Sequence, residues 1–356
     1  MKRAACSRGF KCPVMDGQAD ALCVSPRGAR GFTLIELMIS LVLGLIVIGG
    51  VISVFLANQQ SYRTNQALGD VQDGSRIGFE MMARDIRTAG LTGCDSGGRV
   101  SNLLNNQSTD WWANFGNALL GYGAGTAADP ALTVGSAAGQ QVAGTDSIML
   151  LGAADSGLSV LKDSEPAANF KLNESTSDLV KGDVIIVCDP DHAVIVQITN
   201  YNNSNVTLVH DTGNGVATPG NCSKGLGYPA DCTSTNGNQY TFGPNSQIAK
   251  LTAADWFIGN NPVGGHSLYR VGVSINANVP TPVAQEMVRD VTDMTIRYHQ
   301  PPNANFVAAS AVTKWSIVNA AQVTLTLEST DKRAGSNAKA VKRTFAATTT
   351  VRNRVN

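Results

Sequence analysis

Gly31-Phe32-Thr33-Leu34-Ile35-Glu36-Leu37-Met38-Ile39-Ser40, running on to Phe55-Leu56-Ala57, decides how this chain is built. Between Phe32 and Ala57 the only charge is Glu36. The span exceeds the roughly 20 apolar residues that a helix needs to cross a bilayer. Arg27 and Arg30 precede it, so the positive-inside rule predicts a cytoplasmic N-terminal side, with everything beyond Ala57 across the membrane. Glu36 is the odd residue. A carboxylate at the centre of a spanning helix costs about 2.5–3.5 kcal/mol, and less near an end. Either it reaches back to the headgroups or it has a partner within the membrane.

The residues G-F-T-L-I-E-L, followed by a complete apolar span, resemble the N-methylation signal of type IV pilins and type II secretion pseudopilins. The resemblance implies that a prepilin peptidase cuts after Gly31 and methylates the new N-terminus at Phe32. It also implies that Glu36 pairs with the free amine of a neighbouring subunit, which supplies the partner that burial of its charge demands. Residues 1–31 then form a leader peptide that is removed and takes no part in the fold. Met15 is an alternative start giving a shorter leader. Lys2, Arg3, Arg8, Lys11, Arg27 and Arg30 outweigh Asp16 and Asp20 there, so the processed chain is net negative. Cys6, Cys12 and Cys23 also fall in the leader, and their spacing fits no standard zinc pattern.

Beyond the transmembrane half, residues 32–57, the helical pattern continues through residues 58–90. Leu68, Val71, Ser75, Gly78, Met82, Ile86 and Ala89 recur every three or four residues, which predicts one face of an amphipathic helix. Arg63, Asp70, Asp73, Arg76, Glu80 and Arg84 mark the other face. A helix from Phe32 to Ala89 would be about 87 Å long, and Gly90 is placed to end it. Gly44, Gly49 and Gly50 interrupt the apolar half. They permit local unwinding, as in related filaments, or close packing of helices through small residues.

Residues 91–356 read as a loop-rich globular β domain. Gly, at 36 residues, is abundant and aromatics are few, at 6%. From Leu91 to Gly144 the chain is loop-like apart from Trp111-Trp112-Ala113-Asn114-Phe115. That patch is read as a plug for the core in preference to a partner-binding anchor. Strands are expected at 147–151, 183–188, 193–198, 206–210, 267–275, 288–298, 321–328 and 344–352, with Asp189-Pro190-Asp191-His192 as a hairpin tip. Alternation of Val323, Leu325 and Leu327 predicts one buried sheet face. The expected class is α+β: a long N-terminal helix, transmembrane then amphipathic, laid on antiparallel sheet.

Cys94, Cys188, Cys222 and Cys232 remain after the leader, an even number on the oxidising side of the membrane. Four cysteines allow three pairings; Cys222–Cys232, closing a Gly-, Ser- and Asn-rich loop, and Cys94–Cys188 are the pairs expected. His192, His210, His266 and His299 are scattered, with no H-E-x-x-H, no G-x-S-x-G and no phosphate-cradling glycine loop. No catalytic residue, cofactor or metal ligand is therefore assigned; Asp189, Asp191 and His192, with Asp183 nearby, could ligate a metal but are read as a hairpin tip in preference. The formal charge is zero. Lys332, Arg333, Lys339, Lys342, Arg343, Arg352 and Arg354 make the C-terminus basic. They are read as guarding a sheet edge, with phosphate contact the lesser reading and a nucleic-acid partner not expected.

Across its length the chain is similar to the PilW family of minor pilins, on the long leader-proximal helix, the G-D-V-I-I-V-C-D hairpin and the late V-R-D-V-T-D-M-T-I-R-Y strand. The resemblance implies a structural subunit and not an enzyme. It implies insertion in the inner membrane with a periplasmic domain, then incorporation at or near a pilus tip. The implied partners are prepilin peptidase, the major pilin, other minor pilins, the inner-membrane assembly platform and a tip adhesin. The alternatives are a type II secretion minor pseudopilin and a membrane-tethered module binding DNA or another ligand.

Overall fold

The computed structural model describes residues 31–95, 97–212, 217–335 and 337–354. The expectations for the leader, including Met15, Cys6, Cys12 and Cys23, lie outside the described residues, apart from Gly31. The chain divides into two compact units at Asn58/Gln59.

The first unit holds the start of helix α1 (Leu34–Thr88). Thr33 opens the helix: its Oγ1 accepts the N–H of Glu36 at 3.3 Å, and its carbonyl accepts the N–H of Leu37 at 3.1 Å. This is one arm of a T-x-x-E capping box. Gly44, Gly49 and Gly50 are all helical, and a Cβ at any of them would meet nothing within 4 Å.

In the second unit α1 turns amphipathic. Ala67, Val71, Ser75, Gly78, Met82 and Ile86 are buried, with Ala89 continuing the stripe. Ala67, not the expected Leu68, begins it, because the steps of four, four, three, four and four hold one face of a 3.6-residue helix. Leu68 lies about 100° round from that line and is half-buried. The helix stops as expected: Gly90 has φ +77°, and its N–H donates to the carbonyl of Leu151 at 2.7 Å.

Fifteen strands follow among the described residues. They are β1 (Val100–Asn102), β2 (Leu119–Tyr122), β3 (Ser147–Ser164), β4 (Asn169–Leu172) and β5 (Val184–Cys188). Next come β6 (Ala193–Gln197), β7 (Asn200–Asn202), β8 (Thr207–Val209), β9 (Gln247–Asn260) and β10 (His266–Asn276). The last are β11 (Val279–Arg289), β12 (Val291–His299), β13 (Phe306–Ala308), β14 (Ala320–Glu328) and β15 (Lys342–Thr350). An 11-stranded sheet has the order β1-β6-β5-β9-β3-β4-β8-β7, with β10 on β9, β11 on β10 and β2 on β3. A second, four-stranded sheet has the order β13-β12-β14-β15. The β1–β6 pair is parallel and the other named strand pairs are antiparallel. The α+β reading stands.

The core sits in layers. Met82 and Ile86 of α1 pack with Trp256, Ile258 and Leu268 of the large sheet and with Ile296, Val323 and Leu325 of the small one. On the opposite face of the large sheet, Met149, Leu151 and Phe257 pack with Trp111 and Trp112. A third cluster joins Val160, Phe170, Ile185, Val194 and Leu208 with Phe242. Alternate residues of β5 enter different clusters: Ile185 and Val187 one, Ile186 and Cys188 another. Burial on both faces is why that strand reads as an unbroken apolar run.

Several elements depart from expectation. The central strand β9 was not expected, because Q-I-A-K-L-T-A-A-D-W-F-I-G-N is Ala-rich and carries a mid-strand acid, both poor strand signals. Nor was β11, whose Pro280 and Pro282 argue against a strand; they are accommodated because β11 pairs only with β10 and lies at an edge. The strand expected at 288–298 is divided at Asp290, where φ is +59°, and the chain passes there from one sheet to the other. The supposed loop from Leu91 to Gly144 contains β1 and β2.

Candidate functional site

The candidate site is the N-terminal end of α1. Gly31, Phe32 and Thr33 precede the helix without regular structure. Phe32 is 80% exposed. Glu36 occupies the first turn, where the unpaired N–H groups favour a carboxylate by about 0.3–1 kcal/mol. Ser40 returns its hydroxyl to the Glu36 carbonyl at 2.7 Å, and Ser53 does the same to Gly49 at 2.9 Å. Both small hydroxyls are thereby satisfied within the helix, as an apolar surrounding requires.

The side chains from Phe32 to Phe55 are what the helix leaves bare. Leu34, Ile35, Leu37, Leu45, Ile46, Val51 and their neighbours are all more than half exposed. No water-soluble chain leaves so long an all-round apolar surface uncovered. This helix is long and apolar enough to cross a membrane. Such a surface is covered by lipid or by the same surface on another helix, and Glu36 is the one ionisable group on it.

Elsewhere the structure sorts the residues singled out in the sequence. Cys94 and Cys188 form a disulfide with Cα atoms 6.0 Å apart, and Cys222 and Cys232 another with Cα atoms 5.1 Å apart. Trp111 and Trp112 are buried in a short 3-10 turn, core residues as preferred. The Asp189–His192 tip is closed by its own hydrogen bonds. Asp189 accepts the backbone N–H groups of Asp191 and His192 and the Tyr240 hydroxyl. His192 is bonded to the Asp191 carboxylate through Nδ1 and to the Leu226 carbonyl through Nε2. Of the basic C-terminus, Lys342 and Arg343 lie on the edge strand β15, Lys332 is paired with Glu328 and Asp290, and Arg354 donates to the Trp315 and Val318 carbonyls.

One group escaped the sequence reading. Asp163, Glu165 and His210 bring their ligating atoms within 4.8 Å of one another. Burial pushes Asp163 up to about 6 and Glu165 up to about 7, Glu165 also feeling the Asp163 charge. Burial drives the His210 imidazole down to about 4. The local signal was D-x-E where a strand gives way to a turn, two acids two residues apart. The histidine comes from another strand, 45 residues on, and nothing in the sequence joins it to the acids.

A family model for the prokaryotic N-terminal methylation motif matches residues 26–52. Neither the curated proteins nor the solved structures yield a match. The matched segment contains Gly31, Phe32, Glu36 and most of the exposed apolar helix. It supports a type IV pilin-like prepilin, a class that implies processing by a prepilin peptidase and assembly with other pilins.

Proposed function

We propose that this chain, with its type IV pilin-like methylation signal, is a minor pilin of the PilW kind. A prepilin peptidase removes the leader after Gly31 and methylates the amine of Phe32. The apolar half of α1 first anchors the subunit in the inner membrane, with the β unit in the periplasm, and then packs among the helices of a filament. The carboxylate of Glu36 selects the amine of the adjacent subunit. In a hydrocarbon surrounding an unpaired carboxylate is costly, so the pairing favours assembly and fixes the axial register.

The observation that supports this reading is a lone carboxylate in the first turn of the helix's exposed apolar half, four residues after Phe32. The large β unit supports a rare subunit at or near the pilus tip, where bulk is accommodated, and which primes assembly together with other minor pilins and the inner-membrane platform. A chain of this kind serves twitching or adhesion and performs no catalysis.

The test is deletion of the chain from its host, complemented by wild type or by Glu36→Ala. Loss of surface pili and twitching, restored by wild type and not by Glu36→Ala, is the expected result. Intact piliation with loss of exoprotein secretion would assign it instead to a type II secretion pseudopilus.

A further inference from the structure

The β unit brings a set of metal-ligating side chains together. Asp163 lies near the end of β3 and Glu165 just beyond it, at the start of the turn that leads to β4. Asp163 stands opposite Phe170 on β4, and Phe170 stands opposite Leu208 on β8. His210, two residues beyond Leu208, therefore returns to the same face, held there by its N–H to the Ala168 carbonyl at 2.9 Å. Two separate chain segments, the end of β3 and the residue after β8, thus bring their side chains together.

The hydrogen bonding is incomplete in a particular way. Asp163 uses one oxygen, Oδ2, to accept the Phe242 N–H at 2.9 Å, while its other oxygen, Oδ1, is buried with no partner among the described residues. Both oxygens of Glu165 and both ring nitrogens of His210 are likewise buried with no partner among the described residues. His210 is fully buried and Asp163 is 6% exposed. An unpaired buried polar atom is costly, and more so when charged, so five at one point favour a ligand that satisfies them. The His210 ring is stacked on Phe170 with centroids 4.6 Å apart, which fixes the plane in which its nitrogens point.

We propose that Asp163, Glu165 and His210 form a site for a divalent first-row transition ion, with Zn²⁺ the best fit. One imidazole nitrogen and two carboxylate oxygens are a zinc donor set that leaves a fourth position for water. Ca²⁺ takes six to eight oxygens and has no use for an imidazole. Ligand atoms in a tetrahedral site lie roughly 3.4 Å apart for bonds near 2.1 Å, so the group contracts by about an ångström when the ion enters. The half-buried Glu165 gives the entry path. Bound there, the ion ties the β3–β4 hairpin to the end of β8 and neutralises both carboxylates.

The experiment uses the full chain in detergent, stripped with a chelator and titrated with ZnCl₂ at pH 7.5 by calorimetry and thermal unfolding. The variants are Glu165→Gln, isosteric and partly exposed, and Asp163→Asn; near-UV circular dichroism verifies that they fold. One ion per chain with a raised melting temperature is expected, weakened in both variants by more than the 10–100-fold typical of losing a mere supporting residue. Co²⁺ is expected to give d–d absorption of a nitrogen–oxygen site, without thiolate charge transfer. Absence of saturable Zn²⁺ binding, or binding that survives both variants, overturns the proposal. So does stabilisation by CaCl₂ and not by ZnCl₂.

Discussion

Asp85 on α1 receives the Nε–H of Arg270 from β10 at 2.8 Å, and the same oxygen accepts the indole N–H of Trp256 from β9 at 2.9 Å. One carboxylate thus fastens the amphipathic half of the helix to two neighbouring strands of the large sheet. The Arg270 side chain is 25% exposed, and Trp256 is fully buried. Asp85→Ala leaves both donors without their acceptor. A loss of about 2–3 kcal/mol is expected, since hydrogen bonds to charged groups contribute about 1.5–3 kcal/mol. The urea midpoint of the full chain, against wild type, measures it.

Glycines on the two sides of this contact predict opposite signs. At Gly152 a Cβ would collide with the backbone carbonyl of Thr88, which cannot give way without moving the helix end. Gly152→Ala should cost about 1–3 kcal/mol, the usual range for overpacking. At Gly69, within α1, a Cβ would meet nothing within 4 Å. Gly69→Ala should stabilise by up to about 1 kcal/mol through helix propensity alone. Melting temperatures that move in the same direction would contradict the packing described.

The carboxyl of Asp255 is fully buried, and burial together with the Asp129 charge beside it raises its pKa well above the ordinary value. Asp129 already accepts the Ala131 N–H at 2.9 Å and the Ser147 hydroxyl. A protonated Asp255 can donate to it, whereas an ionised one repels it. The folded state therefore holds a proton that the unfolded chain releases, and the contribution of Asp255 to stability declines as pH rises from about 4 toward the folded-state pKa. Asp255→Asn keeps a neutral donor and should abolish that decline. Unfolding midpoints between pH 5 and 9 should diverge in favour of the variant as pH increases; parallel curves would refute the assignment.

The two disulfides close loops of very different length, with sequence separations of 94 and 10. In the chain-entropy model a crosslink closing about 100 residues contributes about 4.7 kcal/mol, and one closing about 15 contributes about 3. The double variant Cys94→Ser/Cys188→Ser should therefore unfold at lower denaturant than Cys222→Ser/Cys232→Ser. Equal midpoints, or the reverse order, would show that loop entropy does not govern their effect.

What the sequence disclosed and what it hid follow from the range of the interactions. The helix and its Gly90 stop rest on contacts within one turn, and they were legible; its start was read at Phe32, two residues before the Leu34 that Thr33 caps. The buried stripe was legible too, apart from the exchange of Leu68 for Ala67, which neighbouring apolar residues made ambiguous. Strands with strong β-branched runs, such as Val184–Cys188, announced themselves. The central strand β9 did not, because its Ala residues and Asp255 are acceptable only beside partners from β3, β5 and β10. Gly31, Phe32 and Glu36 lie within six residues and could be read together. Asp163 and His210 meet only through the pairing of β3, β4 and β8, which no local pattern records.

The central claim is that the Gly31–Phe32 bond is a prepilin peptidase site, and intact mass of the chain co-expressed with a prepilin peptidase tests it most directly. The account predicts a product beginning at N-methylated Phe32, and an unprocessed chain when Gly31 is replaced by Ala. A wild-type chain that retains its leader in the presence of the active peptidase would contradict the filament reading, leaving a helix-anchored β unit.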